Sequence, residues 1–230
     1  MKNEKALVVF SGGQDSVTCL GIALTNYKHV EAISFSYGQR HSIELDCARK
    51  ICTGLIIPHK FVDISFLGQL VTSELTGTGD VNKPHAYKEG LPASFVPNRN
   101  ALFLTIAHAF AQEIDARHIY AGMCETDYSG YPDCRQDFID AFAGALNIGY
   151  KTSIMIYTPL MHLTKAQTFA LAAKHGVLEL VLEDSHTCYL GDRSQRHSWG
   201  YGCGTCPACV LRATGWDEFQ KSLTEDGKNE

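Results

Sequence analysis

The sequence predicts an α/β fold: a doubly wound, mainly parallel sheet of about five strands with a small four-cysteine region at its C-terminal end. Three observations carry this. Short apolar runs alternate with longer segments of helical length. The first run, Ala6-Leu7-Val8-Val9-Phe10, is apolar at every position, the pattern of a strand buried on both faces. The chain has 230 residues, enough to bury a substantial core in a single domain.

Taken in order, residues 6–10 form the first strand and a Gly-rich turn leads into a helix over residues 16–26. Residues 30–36 form a second strand. Residues 43–53 form a helix with Ile43, Cys47, Ala48 and Ile51 on one side. A short third strand covers residues 60–64. Residues 101–113 form a strongly apolar helix, 118–122 a fourth strand, 135–149 another helix and 154–157 a fifth strand. Residues 165–175 form the next helix, with Gly176 as its C-cap. Two regions break the rhythm. Residues 65–97 are long and mixed, with Gly77, Gly79, Pro84, Gly90, Pro92 and Pro97, and a loop of that length is usually functional or mobile. From Asp184 onward the chain is rich in Cys and Gly and reads as a metal-held appendage, with residues 224–230 expected to fray.

Composition excludes several classes. The chain is 45% hydrophobic and 20% charged, which argues against disorder. With 20 Lys plus Arg against 25 Asp plus Glu, the net charge of −5 argues against a protein that coats nucleic acid non-specifically. The N-terminal residues do not resemble a signal peptide, and no stretch approaches the roughly 18 apolar residues of a membrane span. A cytoplasmic chain is expected, its nine cysteines thiols or metal ligands and not disulfides.

The sharpest local signal is Ser11-Gly12-Gly13-Gln14-Asp15-Ser16, between the first strand and the first helix. In an open parallel sheet, ligands bind beyond the carboxyl ends of the strands. Two glycines let the backbone approach a ligand closely, and the N–H groups that open the helix favour an anion. The Ser11 and Ser16 hydroxyls add donors. Asp15 is expected to hold a divalent cation or to cap the helix. No G-x-x-x-x-G-K-[ST] string occurs, which excludes a Walker loop, and no G-x-G-x-x-G follows a strand.

Cys188, Cys203, Cys206 and Cys209 form C-x14-C-x2-C-x2-C amid glycines, a donor set suited to tetrahedral zinc. An iron–sulfur cluster and a redox Cys-x-x-Cys are the competing readings. Cys19, Cys47 and Cys52 read as small core residues. Three further clusters follow or face strand ends. Tyr37-Gly38-Gln39-Arg40-His41 and Phe95-Val96-Pro97-Asn98-Arg99-Asn100 are cationic and amide-rich, and Arg40 or Arg99 can hold a phosphate or carboxylate bidentately. Residues 125–134 are anionic and aromatic: a carboxylate there can accept N–H bonds from an aminopyrimidine edge, with Tyr128 or Tyr131 stacking on a ring. Thr164 reads as an N-cap and Lys165, one residue on, can reach a nucleotide's phosphates.

The SGGxDS string resembles the fingerprint of the pyrophosphatase-loop ATP enzymes, whose fold is adenine nucleotide α-hydrolase-like. Such enzymes cleave ATP between the α- and β-phosphates and transfer AMP to a substrate oxygen. With FSGGQDSVTCL, SYGQRH, FVPNRNALFL, CETDYSGYPDC, TPLMHLTKAQT and CGTCPACVLRA spread over nearly the whole chain, the sequence resembles the 7-cyano-7-deazaguanine synthase family of that class. The resemblance implies ATP-dependent conversion of 7-carboxy-7-deazaguanine to the nitrile with ammonia, through an adenylate and an amide, as a step toward queuosine-type deazapurines. It implies an ATP segment of Phe10, Ser11, Gly12, Gly13, Gln14, Asp15, Ser16, Val17, Thr18, Cys19 and Leu20, with Mg2+ accompanying ATP. For that chemistry Lys165, Asp15 and Arg99 are the expected catalytic residues, with Arg40 the alternative to Arg99 for steering the carboxylate. Gln39, Arg40, Arg99, Asn100, Glu125, Asp127 and Asp133 are the implied substrate residues, and Cys188, Cys203, Cys206 and Cys209 hold structural zinc. Residues 1–183 would form the ATP-type domain and residues 184–230 a zinc-binding tail packed on it. The length leaves no room for a glutaminase domain, so free ammonia is the expected nitrogen donor.

Two features depart from the family's pattern. Gly is common where this chain has Asn98, and the x14 interval is longer than usual, through the insertion Gly191-Asp192-Arg193-Ser194-Gln195-Arg196-His197. The insertion could bring cationic groups near the site. No nucleic acid or membrane partner is expected, and the strongly apolar helices suggest a homodimer. Two rival readings are weighed against this one. The first is a tRNA-thiolating enzyme of the same class with Cys124 and Cys134, or Cys206 and Cys209, as sulfur carriers. The second is a zinc module that binds a macromolecule through Arg193, Arg196, His197 and Arg212.

Overall fold

A computed structural model describes residues 2–77, 85, 89–126 and 131–226. Its centre is a five-stranded sheet in the order β3-β2-β1-β4-β5, built from β1 (Lys2–Val9), β2 (Tyr27–Ser36), β3 (His59–Asp63), β4 (Ala116–Ala121) and β5 (Met155–Tyr157). Every neighbouring pair in it is parallel. The helices are α1 (Gln14–Asn26), α2 (Ile43–Gly54), α3 (Phe66–Leu70), α4 (Arg99–Glu113), α5 (Gln136–Tyr150), α6 (Lys165–Lys174) and α7 (Pro207–Asp226). No described helix is long and apolar enough to cross a membrane.

The apolar run at the start of the chain becomes the middle strand, and period-two alternation divides its side chains between two cores. Ala6, Val8 and Phe10 join Leu20, Phe169 and Val181 on one face. Leu7 joins Ile33, Phe35, Ala107 and Ala111 on the other. Ala6, Leu7 and Val8 are fully buried, as a central strand covered on both faces requires. β1, α1 and β2 wind one way from the centre, while β4 and β5 lie on the opposite side. The winding therefore reverses between β1 and β4, and in such sheets the ligand crevice opens at that point.

The structure adds to and corrects the sequence reading at several places. α1 begins at Gln14, two residues before the expected start, because Gly13 and not Asp15 holds its N-cap position. α4 begins at Arg99, with Asn98 as N-cap in the left-handed region at φ 58°. Asn is one of the few non-glycine residues that adopt this conformation readily, so the turn accepts Asn98.

The C-terminal cysteine region packs on the body and shares its core. Cys188, Trp199, Cys206, Cys209 and Phe219 belong to the same buried cluster as Val8 and Leu20. α7 runs unbroken through residues 224–226, where fraying is expected. Three cations of the basic face ascribed to this region have partners within the chain. Arg212 is 1% exposed and donates to the carbonyls of Trp199 and Val181. Arg193 donates to the carbonyls of Ser185 and Glu183, and Arg196 pairs with Glu183. The insertion thus turns its cations toward the protein's own oxygens.

Candidate active site

A cavity of about 270 Å³ opens at the carboxyl ends of β1, β2 and β4, at the point where the winding reverses. Its floor is the turn after β1: Ser11, Gly13, Gln14, Asp15 and Ser16 line it. The turn is tight because Ser16 Oγ accepts the Gly12 N–H at 3.1 Å and donates to the Gly13 carbonyl at 3.0 Å. Gly12 has φ +87°, and a Cβ there would lie 2.2 Å from the Glu44 carbonyl oxygen of α2. Only glycine permits both the backbone conformation and the approach of that helix. Phe10, Val17, Thr18, Cys19 and Leu20, which complete the expected nucleotide segment, are at most 1% exposed and do not line the cavity. Phe10 ends the first strand's apolar run and the other four lie in the first turns of α1, and burial uses all five as core.

Asp15 neither caps α1 nor stands alone. Lys165 Nζ donates to both its carboxylate oxygens, at 2.9 and 2.7 Å. Lys165 is 8% exposed, so the structure does not place it as a solvated first-turn lysine. It is held at the first position of α6 by a capping box, in which Thr164 accepts the Gln167 N–H and Gln167 accepts the Thr164 N–H. Gln14 is 1% exposed, and its side-chain amide has no hydrogen-bond partner among the described residues. An orphaned buried amide costs about 1–3 kcal/mol, so its place in a cavity wall is what a polar ligand would explain.

The two cationic clusters contribute to the cavity lining, and from the third, among the described residues, only Tyr131 and Cys134 do. Arg99 projects from the first position of α4, its guanidinium 5.5 Å from the Tyr37 ring centre and 5.8 Å from that of Phe103. Gln39, Arg40 and Asn100 also line the cavity. Gln39 accepts the Tyr37 N–H at 2.8 Å, and Arg40 Nε donates to the Gly77 carbonyl at 2.8 Å. Asp133 is buried behind Asn100, accepting its N–H at 3.1 Å, and so fixes the start of α4 instead of lining the cavity. Glu125 is exposed and accepts the Gln136 N–H at 3.1 Å, which places it at the start of α5 and outside the lining. Asp127 and Tyr128 lie outside the described residues.

Sequence reasoning missed the lining residues Glu44, Thr187 and Tyr189, and it did not place Cys188, its expected metal ligand, in the cavity wall. Burial pushes the Glu44 carboxyl up to about 7, with the Arg99 charge opposing. The other three belong to the cysteine region. No local pattern marks Thr187 and Tyr189; only their adjacency to Cys188 singles them out.

Cys188, Cys203, Cys206 and Cys209 bring four sulfurs within 4.8 Å of one another. The Cys203–Cys209 and Cys188–Cys206 separations are both 3.9 Å. Zn–S bonds of about 2.3 Å in a tetrahedron demand sulfur separations near 3.8 Å, so the four residues fit such an ion. Backbone N–H groups of Thr205 and Cys206 point at the Cys203 sulfur at 3.4 and 3.3 Å, the arrangement that stabilises a thiolate. Hydrogen bonds from Cys206 and Cys209 hold the Cys188 thiol far below its ordinary value.

A doubly wound parallel sheet, a Gly-rich anion-type turn at its switch point and a four-thiol cluster define an adenine nucleotide α-hydrolase-like protein. Solved structures agree on the fold: a 4-thiouridine synthetase crystallised with RNA and bound ATP (TM-score 0.51, 17% identity, 94% of this chain and 53% of that one) and an NMN synthetase from Francisella tularensis (TM-score 0.50, 16% identity, 94% and 85%). At that identity the likeness speaks for the fold alone. Residues 5–220 match the family described as queuosine biosynthesis protein QueC, and the chain belongs to that family. Its relatives include the 7-cyano-7-deazaguanine synthases of Wolinella succinogenes (56% identity, 97% of both chains) and Alkalilimnicola ehrlichii (50% identity, 93% of this chain and 94% of that one). That of Helicobacter pylori strain P12 is 47% identical over 96% of this chain and 97% of its own.

Proposed function

We propose that the chain is an ATP-dependent carbon–nitrogen ligase that converts 7-carboxy-7-deazaguanine to 7-cyano-7-deazaguanine with ammonia. The observation that carries this reading is a single cavity with an anion-type turn as its floor, the Lys165–Asp15 pair beside that floor and the Arg99 guanidinium in its wall.

In the first round the substrate carboxylate attacks the α-phosphorus of ATP and pyrophosphate leaves. Ammonia then adds to the acyl carbon and AMP departs, giving the amide. In the second round the amide oxygen attacks the α-phosphorus of a second ATP, pyrophosphate leaves, and loss of AMP with the two N–H protons leaves the nitrile. The residues of this chain act by positioning and by charge. The turn and the start of α1 hold the pyrophosphate, and Lys165 offsets charge as it leaves. Arg99, beside the Tyr37 and Phe103 rings, steers the carboxylate. Gln39, Arg40 and Asn100 line the acceptor side. Asp127 is proposed to read the heterocycle edge, and Asp133 supports that wall through its hold on Asn100. Alignment of two bound reactants supplies much of the rate. Asp15 is suited to hold Mg2+ with ATP, neutralising phosphate charge. The four cysteines hold a structural Zn2+. α5 buries only Ile139 of its 15 residues, and this outward apolar side is proposed to meet a second copy of the chain.

Purified protein given ATP, ammonium and the carboxylate should release AMP and pyrophosphate and form the nitrile. Release of ADP would refute the assignment. Asp15→Asn, which keeps a hydrogen-bonding partner for Lys165, should lower kcat by about 100-fold. Full activity in that variant would remove the turn from the mechanism.

A further inference from the structure

The cysteine region does more than close the fold: it supplies a group to the phosphate floor. His186 N–H donates to the Gly12 carbonyl at 3.0 Å, which lays this strand of chain along the turn. The next residue, Thr187, lines the cavity, and the residue after it is the first of the four clustered cysteines. The Thr187 hydroxyl oxygen accepts two hydrogen bonds, from Arg212 Nη1 at 3.0 Å and from the Gln14 N–H at 3.4 Å.

A hydroxyl has two acceptor positions and one proton. Both acceptor positions are taken, and the proton is given to no group among the described residues. The group that holds the oxygen is a guanidinium that is 1% exposed and fixed by three other acceptors: the carbonyls of Trp199 and Val181 and the Ser185 hydroxyl. A charged donor on the oxygen polarises the O–H and strengthens it as a donor in turn. The second partner, Gln14 N–H, is the first amide of the 13-residue α1, whose N-terminal end favours negative charge. An O–H so placed meets an acceptor in the cavity, and the acceptor that suits this end of the helix is a phosphate oxygen.

We infer that Thr187 is a pyrophosphate-binding residue outside the SGGxDS turn, with Arg212 as the positioning residue that fixes and polarises its hydroxyl. The inference rests on the proposed ATP chemistry and deepens it. It makes the four-cysteine region a contributor to the nucleotide site, through the direct bond between Thr187 and Cys188.

The test measures binding of inorganic pyrophosphate and of a non-hydrolysable ATP analogue to the intact protein by calorimetry, together with steady-state kinetics and metal content. Thr187→Val keeps the shape and removes the hydroxyl. It should weaken pyrophosphate binding by about tenfold and raise KM for ATP similarly, with kcat changed far less and metal content unaltered; tenfold corresponds to about 1.4 kcal/mol. Thr187→Ser should restore binding to within about twofold, since it returns the O–H. Arg212→Lys, which keeps the charge, should show a smaller loss of the same kind. Wild-type binding of both ligands with unchanged affinity in Thr187→Val overturns this inference and leaves the proposed function standing. Failure of the wild-type protein to bind either ligand overturns both.

Discussion

Ile56 sits in the turn after α2 at φ 56°, with 90% of its surface exposed. The turn is a complete Schellman motif: Ile57 N–H donates to the Cys52 carbonyl at 2.9 Å and Ile56 N–H to the Thr53 carbonyl at 3.2 Å. Its left-handed position normally belongs to glycine, and a β-branched side chain there costs about 1–2 kcal/mol. Because Ile56 is so exposed, little packing offsets that cost. Ile56→Gly should raise stability by about 0.5–1 kcal/mol after the extra unfolded-state entropy of glycine is subtracted. Urea unfolding monitored by circular dichroism measures this, and a lower midpoint would show that Ile56 packs on something in solution. Single residues differ sharply in how well the sequence exposes them. Ser11 to Ser16 and the four cysteines are legible because their chemistry needs fixed types at fixed spacing. The Lys165–Asp15 pair spans 150 positions, and no local pattern connects such partners. Glu125 and Asp133 read as ligand-facing acids, yet the structure gives them backbone N–H groups at helix starts, a use that composition cannot tell from recognition.

At the scale of elements, the strands and α1, α2, α5 and α6 follow from apolar runs and periodicity, whereas α7 does not stand out. Its cysteines and central Gly215 disguise a helix that starts with Pro207, a favoured first residue. Its buried positions Ala208, Cys209, Arg212, Gly215 and Phe219 keep helical spacing, but a buried arginine and glycine break the hydrophobic signal. Gly215 is where α7 crosses α6. A Cβ there would lie 2.3 Å from Lys165 Cβ and 3.0 Å from the Lys165 carbonyl carbon. The contact includes backbone, so a rotamer change cannot relieve it. Gly215→Ala should therefore push α6 away from α7 and draw Lys165 from Asp15. We expect a stability loss of about 1–3 kcal/mol despite alanine's better helix propensity. KM for ATP should rise in the same variant. A stability gain, read from urea midpoints, would mean that α7 slides along α6 without consequence for the lysine.

At the scale of the whole molecule, the alternation of strands and helices announces the sheet and its switch point, but not that the C-terminal region shares the main core. Sequence separates residues 184–230 by composition; packing unites them, because Trp199, Cys206 and Phe219 lie in one cluster with Val8, Leu20 and Phe169. Cys188 also lines the cavity while belonging to the thiol cluster. A metal held there therefore stabilises the body of the protein and not a detachable tail. Structural zinc sites contribute on the order of 10 kcal/mol in small peptides, part of which is spent ordering the chain. Removing the metal by chelation under mild denaturant, or by Cys206→Ser, should lower the melting temperature by about 10 °C or more, at roughly 2–4 °C per kcal/mol for a domain of this size. Unfolding should remain a single transition, because the thiol cluster and the sheet share one core. Pyrophosphate affinity should fall in parallel with metal content, since Thr187 and His186 reach the turn from the segment that Cys188 anchors. Calorimetric scans of the metal-loaded and metal-depleted protein decide the matter. Two separated transitions, with the upper one unmoved by chelation, would mean that the cysteine region melts on its own and that the sheet holds the turn after β1 without it.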